Sequence, residues 1–488
     1  MVDQTPSIDV LEKYLVEYYV RNGLSSSDQD HRDRNLAKAR ALNTPYMFFR
    51  LAECCKEVRQ YTKALDFFSQ AFDQGLSDPF FLERAGECFL RHGTIRQYST
   101  LFTKLYETDP SDRYSSFILD TITFYNTTVY NLMSEINSRQ IPYKEILIIN
   151  VALFGSKYIE IFSNYLLAIL MSKNNILFAS EKYELHFIIA TTRADFNTLS
   201  GNSLFHELES HARVHFVEFP EDLLSYSIDY SKKRGGEWTI PITFLTNAQH
   251  YAAIECARFL DASIINLWPD HIIPDSFLFD LLNAGEQYGV VSGLAFRLFY
   301  DQNLLGEINR YRDATGVINI PYEKMFGLLY DYLPYQNYVN ADSFSKFPIY
   351  LCWKIDGEGI IAHVNHYTPF LIKGNCLKGP IYPSLDPVDG FFLDRYMIDK
   401  SALGLASEKV IVFDLGNNPL VCPTDGSPFN PEQVAAWLKP WLTDVHQKYF
   451  EQCMKYPVSG SGSLDVCGGT ISMARSVVGQ IITRAKEF

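Results

Sequence analysis

No two cysteines stand in a CxxC pair anywhere in the 488-residue chain, although nine are present. That absence argues against a structural zinc site, which needs thiolates at such a spacing. The cysteine count is odd and the spacing irregular: Cys54 and Cys55 are adjacent, and Cys422, Cys453 and Cys467 are scattered. Reduced thiols in a cytosolic protein are the expectation. Positive charge is also short. Lys and Arg number 43 against 57 Asp and Glu, for a net charge of −14. Such a balance argues against nonspecific binding to nucleic acid or anionic lipid, and leaves room for a small basic pocket that takes an anionic small molecule. Long apolar runs are missing too. The longest, Tyr165 to Met171, is far below the roughly 20 residues that span a bilayer. The start, "MVDQTPSIDV", is polar and acidic, unlike a signal peptide. Together these features predict a cytoplasmic protein with no transmembrane segment. Three fingerprints are absent as well: GxGxxG, GxxxxGK[ST] and GxSxG. The usual dinucleotide, P-loop and nucleophile-elbow sites go with them.

What is present is ordinary globular composition, 47% hydrophobic and 20% charged, over a length suited to two or three domains. Residues 1–135 read as helical. "LEKYLVEYYV" and "NLAKARAL" carry apolar residues at helical spacing. A period of about 34 residues then relates Ala52 to Gly86 and Phe68 to Phe102, with proline closing the segments at Pro79 and Pro110. Small residues at Ala52, Ala64, Ala71 and Gly86 permit close helix contact. The pattern resembles tetratricopeptide repeats: two clear units and a degenerate one upstream, with Tyr18 and Ala37 in phase. An irregular helical domain is the alternative.

From Lys144 the texture changes. "EILIINVAL", "ELHFIIATT" and "RVHFVEFP" are β-branched runs that predict strands, and "YIEIFSNYLLAILM" and "NAQHYAAIECARFL" predict helices between them. Strand alternating with helix predicts an α/β domain over 140–425 with a mostly parallel central sheet. A helical extension over 426–488 follows, broken by the Gly/Ser-rich "PVSGSGSLDVCGG".

One stretch carries the functional question. "ASIINLWPDHIIPD" is a buried-type strand, Ser263 to Leu267, that runs into Trp268-Pro269-Asp270. Pro-Asp is good turn chemistry. It is also where an open α/β sheet places ligands, outside the carboxyl ends of its strands. The order of strands and loops resembles the nucleotide-sugar-binding half of GT-A glycosyltransferases. There an early strand-loop receives the nucleoside, and a later strand ends in a DxD motif that holds a divalent metal on the diphosphate. Here the first acidic position of that triplet is Trp268. The chain also resembles a group of bacterial proteins described as glycosyltransferases and often fused to repeats. The matching stretches, from about residue 147 to 396, are "LFGSKYIEIFSNYLLAIL", "LHFIIATTRAD", "NAQHYAAIECARFLDASIINLWPDHIIPDSF", "GLAFRLF", "HYTPFLIKG" and "PVDGFFLDR".

The resemblance implies a nucleotide-sugar donor, an acceptor glycan or protein held by the repeats, and Mn²⁺ or Mg²⁺ on Asp270 and His366. It implies donor contacts from Phe154, Gly155, Thr191, Thr192, Asn247, His250 and Arg297. Asp389, with Asp386 as the alternative, is the candidate base for an acceptor hydroxyl. Each residue also has a plain reading. Asp270 and Asp389 suit turns, Asp275 suits a helix N-cap, His250 suits a satisfied structural histidine, and "TTRAD" with Asp195 suits loop and cap chemistry; His363 matches the late histidine of the resemblance less well than His366 does. The predicted fold is therefore α plus α/β: helical-hairpin repeats, a GT-A-like domain and a helical tail. The predicted activity is glycosyl transfer, and a non-catalytic scaffold with a degenerate transferase domain is the alternative.

Overall fold

The structure is a computed structural model that describes residues 18–20, 30, 34–35, 37–38, 44–57, 60–76, 79–137, 144–234, 239–365, 367–416, 424, 426–439, 442–458 and 468–487. The chain divides into two compact units. One comprises Met1–Phe124, Asp222–Ala248 and Tyr382–Leu385, the other Tyr125–Glu221, Gln249–Ile381 and Asp386–Phe488.

In the first unit, helices α1 (Pro45–Glu57), α2 (Tyr61–Asp73), α3 (Pro79–His92) and α4 (Ile95–Thr108) follow one another, and α5 (Arg113–Asn137) begins. α1 and α3 start at Pro45 and Pro79, the 34-residue spacing seen in the sequence. Ala52, Ala64, Phe68, Ala71 and Phe102 are fully buried. A Cβ on Gly86 would stand 3.0 Å from the Phe102 ring, so glycine is what lets α3 approach α4. Thr94 and Gln97 close a capping box at the start of α4, which satisfies two otherwise orphaned backbone donors. Helix Glu221–Arg234 joins this unit through Tyr226, whose ring lies tilted 5.0 Å from that of Phe117. Most of the degenerate upstream repeat lies outside the described residues.

The second unit is built on strands β1 (Ile146–Ala152), β2 (Glu184–Thr191), β3 (Arg213–Glu218), β4 (Ser263–Leu267), β5 (His271–Ile272), β6 (Val290–Phe299), β7 (Tyr350–Ile355), β8 (Gly359–Val364), β9 (Thr368–Lys373), β10 (Leu403–Leu405), β11 (Ile411–Gly416) and β12 (Met454–Pro457). The large sheet runs β3-β2-β1-β4-β9-β6-β11-β5, with β10 beside β6. β1, β2, β3 and β4 are parallel, and β6 with β11 continues that direction. β9 is inserted antiparallel between β4 and β6. Every residue of β2 and nearly every residue of β1 is buried, as strands covered on both faces must be. The chain leaves β1 toward β2 and β3, then returns to place β4 on β1's other side. The reversal point in strand order therefore falls between β1 and β4, the kind of position at which open α/β sheets bind ligands.

A smaller antiparallel sheet, β12-β8-β7, was not expected from the sequence. The predicted helical run "PEQVAAWLKPWLTDVHQKYFEQCM" divides into a helix at Pro431–Leu438, a second helix at Asp444–Phe450 and strand β12. The last helix, Gly468–Glu487, packs with the first of these on the small sheet. Val434, Leu438, Val478 and Ile481 share a core with Leu351, Trp353 and Ile361. The central residues of the Gly/Ser-rich segment lie outside the described residues. Among the described residues no helix is long and apolar enough to cross a membrane, and the described cysteines are all free thiols.

Candidate functional site

The site belongs to the second unit and is assembled from strand ends. β1 delivers the loop Leu153-Phe154-Gly155. Gly155 has φ +87, a backbone setting that disfavours a Cβ, and it N-caps helix Ser156–Ile161. Its N–H donates to Asp195 Oδ2 at 2.9 Å. Thr192 in turn caps helix Arg193–Leu199 by accepting from Asp195 N at 3.1 Å. The "TTRAD" residues thus clamp the glycine loop. Thr191 ends β2 fully buried. Phe154 lies edge-on to Phe219 at 5.7 Å.

β4 delivers Trp268, Pro269 and Asp270. Beneath them is a polar group inside otherwise apolar strands. Asn150 of β1 and Asn266 of β4 are register partners, and Asn150 Nδ2 donates to Asn266 Oδ1 at 2.9 Å. Gln249 Nε2 donates to Asn150 Oδ1 at 2.6 Å. His250 Nδ1 lies 3.0 Å from Asn150 Nδ2. An amide N–H can only donate, so Nδ1 is the bare nitrogen and the ring is neutral. Burial holds His250 down at about 4, and Asn266 beside it opposes the shift. Trp268 lies 5.5 Å from the His250 ring and 5.2 Å from His271. His271, also lowered to about 4 by burial, is within 3.4 Å of the Trp268 N–H. His271 thus holds the backbone at the end of β4, and the Trp268 ring lies between the two imidazoles.

Asp270 is half-buried. Its carbonyl accepts from Leu415 N at 3.2 Å, which brings β11's Asp414 alongside. Burial and then the Asp414 carboxylate push the Asp270 carboxyl well above the usual range, while Lys157 and Arg297 pull it down. Arg297 pairs with Asp414, Nε to Oδ2 at 3.4 Å. Its backbone N–H meets the Tyr350 hydroxyl at 3.1 Å. Lys157 Nζ lies 5.5 Å from the Tyr158 ring centre and 5.4 Å from that of Tyr300. Two carboxylates and two cations thus gather at the carboxyl edge, next to the reversal point.

The other expected residues are distributed differently. Asn247 belongs to the first unit, where its amide donates to the Ser384 carbonyl at 2.9 Å. Asp389 is buried and N-caps helix Gly390–Tyr396, accepting from Phe391 N at 2.9 Å. Its second oxygen stands 3.9 Å from His446 Nε2. Asp386 receives the Tyr251 hydroxyl on its carbonyl at 3.1 Å. Asp275 is not the N-cap of helix Phe277–Gly285. Ser276 occupies that position, and Asp275 is pinned through its backbone, N–H to the Ile320 carbonyl at 2.9 Å. His363 is fully buried and meets the Phe450 carbonyl at 3.0 Å. His366 lies outside the described residues. Among the described residues, no three Asp, Glu, His or Cys side chains come together to hold a metal ion.

Sequence reasoning passed over Lys157, Asp414 and the Asn150–Asn266 pair. The last had a visible signal, one asparagine at the matching position of two apolar strands. Asp414 repeats the pattern of Asp270, a carboxylate at the end of the apolar run "VIVFDLG".

No family model matches the chain, and no curated protein matches it. Among solved structures, a mutant O-GlcNAc transferase of Thermobaculum terrenum aligns over 47% of this chain and 45% of its own length, at 11% identity and a TM-score of 0.18. The chain thus spans less than half of that protein, and so slight a likeness carries no argument about function.

Proposed function

We propose that the protein is a nucleotide-sugar-dependent glycosyltransferase of GT-A type that moves a sugar from a nucleoside diphosphate to a hydroxyl group on a glycan or protein. The observation that carries this reading is the mixed-charge cluster of Asp270, Asp414, Lys157 and Arg297 beside the β1–β4 reversal point. Breaking the bond between the anomeric carbon and the phosphate oxygen separates charge. Negative charge grows on the departing diphosphate, and positive charge grows on the oxocarbenium-like carbon. A site that holds both signs in fixed positions stabilises both as they develop. The cations Lys157 and Arg297 suit the diphosphate. Phe154, Gly155 and Trp268 flank the place where the nucleoside would lie, at the edge where open α/β sheets bind ligands. The tetratricopeptide-like helices of the first unit, with their 34-residue spacing, suit a surface that holds the acceptor.

Calorimetry with a panel of nucleoside diphosphates, each with and without Mn²⁺, tests this reading. At least one is expected to bind. Binding to none of them would leave the non-catalytic scaffold reading in its place.

A further inference from the structure

We propose that this site neutralises the donor's diphosphate with Lys157 and Arg297, without a divalent cation; the inference rests on the transferase reading. A hard cation on a diphosphate draws on carboxylate oxygens that are open to it. The triplet that would supply them begins with Trp268, and an indole cannot coordinate. One of the two carboxylates at this edge is already engaged by the protein's own cation: Asp414 is ion-paired to Arg297. At the other, burial disfavours the charged form of Asp270, which makes it a poor ligand for a hard cation.

Both cations are built to meet phosphate oxygens. Arg297 sits near the end of β6 with its backbone held by the Tyr350 hydroxyl, and its side chain is 43% exposed. Its planar fork matches two phosphate oxygens at once. Lys157 follows directly on the Gly155 loop, and its ammonium lies near the Tyr158 and Tyr300 rings. An incoming diphosphate exchanges with Asp414 for the guanidinium. That exchange needs no metal.

The test is calorimetric titration of the full chain with inorganic pyrophosphate, UDP and GDP, once in excess EDTA and once in excess Mn²⁺. Affinities are expected to agree within about threefold between the two buffers. Lys157→Gln and Arg297→Gln are each expected to weaken binding about tenfold, the loss of one charge-assisted contact. Asp414→Asn separates the two chemistries. It frees Arg297, so affinity is expected to hold or rise, whereas a lost metal ligand would abolish binding. Circular dichroism of each variant establishes that it is folded. Binding that disappears in EDTA and returns with Mn²⁺, or that Asp414→Asn abolishes in a folded protein, overturns the inference and leaves the transferase reading intact. Failure of all three probes in both buffers overturns the inference and the transferase reading together.

Discussion

Asp270 matters because of where its strand stops. Pro269 removes a ladder donor, so the chain turns out of the sheet and presents the carboxyl at its edge rather than in its core. Asp270→Asn keeps the size and the turn bonds and removes the ionisable carboxyl. Transferase turnover is expected to fall by about 10²-fold, the scale of losing one preorganised electrostatic group, with the melting temperature nearly unchanged. Initial rates and a thermal melt of the same preparation check this, and full activity in a folded variant would remove Asp270 from the site. The histidines beneath it set a pH limit. His250 and His271 sit at about 4 when folded, below the ~6.5 of a free imidazole. Between those values the unfolded chain binds more protons than the folded one. Stability is therefore complete above about pH 6.5 and declines as pH falls toward 4, by at most about 3 kcal/mol per histidine. Urea melts from pH 7 to 4.5 measure it, and a level midpoint would contradict the neutral-imidazole assignment.

At the scale of elements, the segment that follows Asp270 is anchored by one side chain. Asn175, in the π turn Lys173–Leu177, has φ −107 and ψ −109, outside the helical region. Its Nδ2 donates to the carbonyls of Ile169 at 3.1 Å and Pro274 at 3.2 Å, and its Oδ1 accepts from Leu278 N at 2.8 Å. Ser172 adds a bond to the Asp275 carbonyl at 2.9 Å. Asn175→Ala would leave buried backbone groups unpaired and is expected to cost about 2–3 kcal/mol in a urea melt. A loss below about 0.5 kcal/mol would mean that water or a shifted backbone replaces the amide. In the first unit, Ala64 and Ala71 are fully buried in α2. Phe at either position is expected to overpack the helices and cost about 1–3 kcal/mol. A variant as stable as the parent would show that the helices are not closely packed there.

At the scale of the whole molecule, the C-terminal helix is part of the second unit's core rather than an appendage. Ala474, Val478, Ile481, Ile482 and Ala485 pack with Trp353, Ile361, Val434 and Leu438. Deleting 468–488 exposes several buried aliphatic side chains, each worth about 1.5–3 kcal/mol. The truncated chain is expected to lose its cooperative melt and bind a hydrophobic dye. A truncation that melts like the full chain would show that this helix adds little.

Local pattern reached far into this protein. The runs "EILIINVAL" and "ASIINLWPD" specified strands and their ends, because β-branched residues between turn formers have few other uses. The 34-residue spacing of small and aromatic residues agrees with the spacing between the starts of α1 and α3. Asp270 stands out in the sequence because it follows an apolar run and a proline, whereas Arg297 lies inside β6 with Leu298 and Phe299 after it. The sequence could not show that β9 enters antiparallel between β4 and β6, or that β11 brings Asp414 beside Asp270. Strand order depends on contacts between residues far apart in the chain, and no local period encodes them. The sheet's closure also decided the fate of the other candidates. Asp389 and His363 look like chemistry in the sequence, and the fold buries both, one as a helix cap and one against the Phe450 carbonyl. Lys157, passed over as a site residue in the sequence, lies near the Tyr300 ring just after β6, a meeting of distant segments that only the fold arranges.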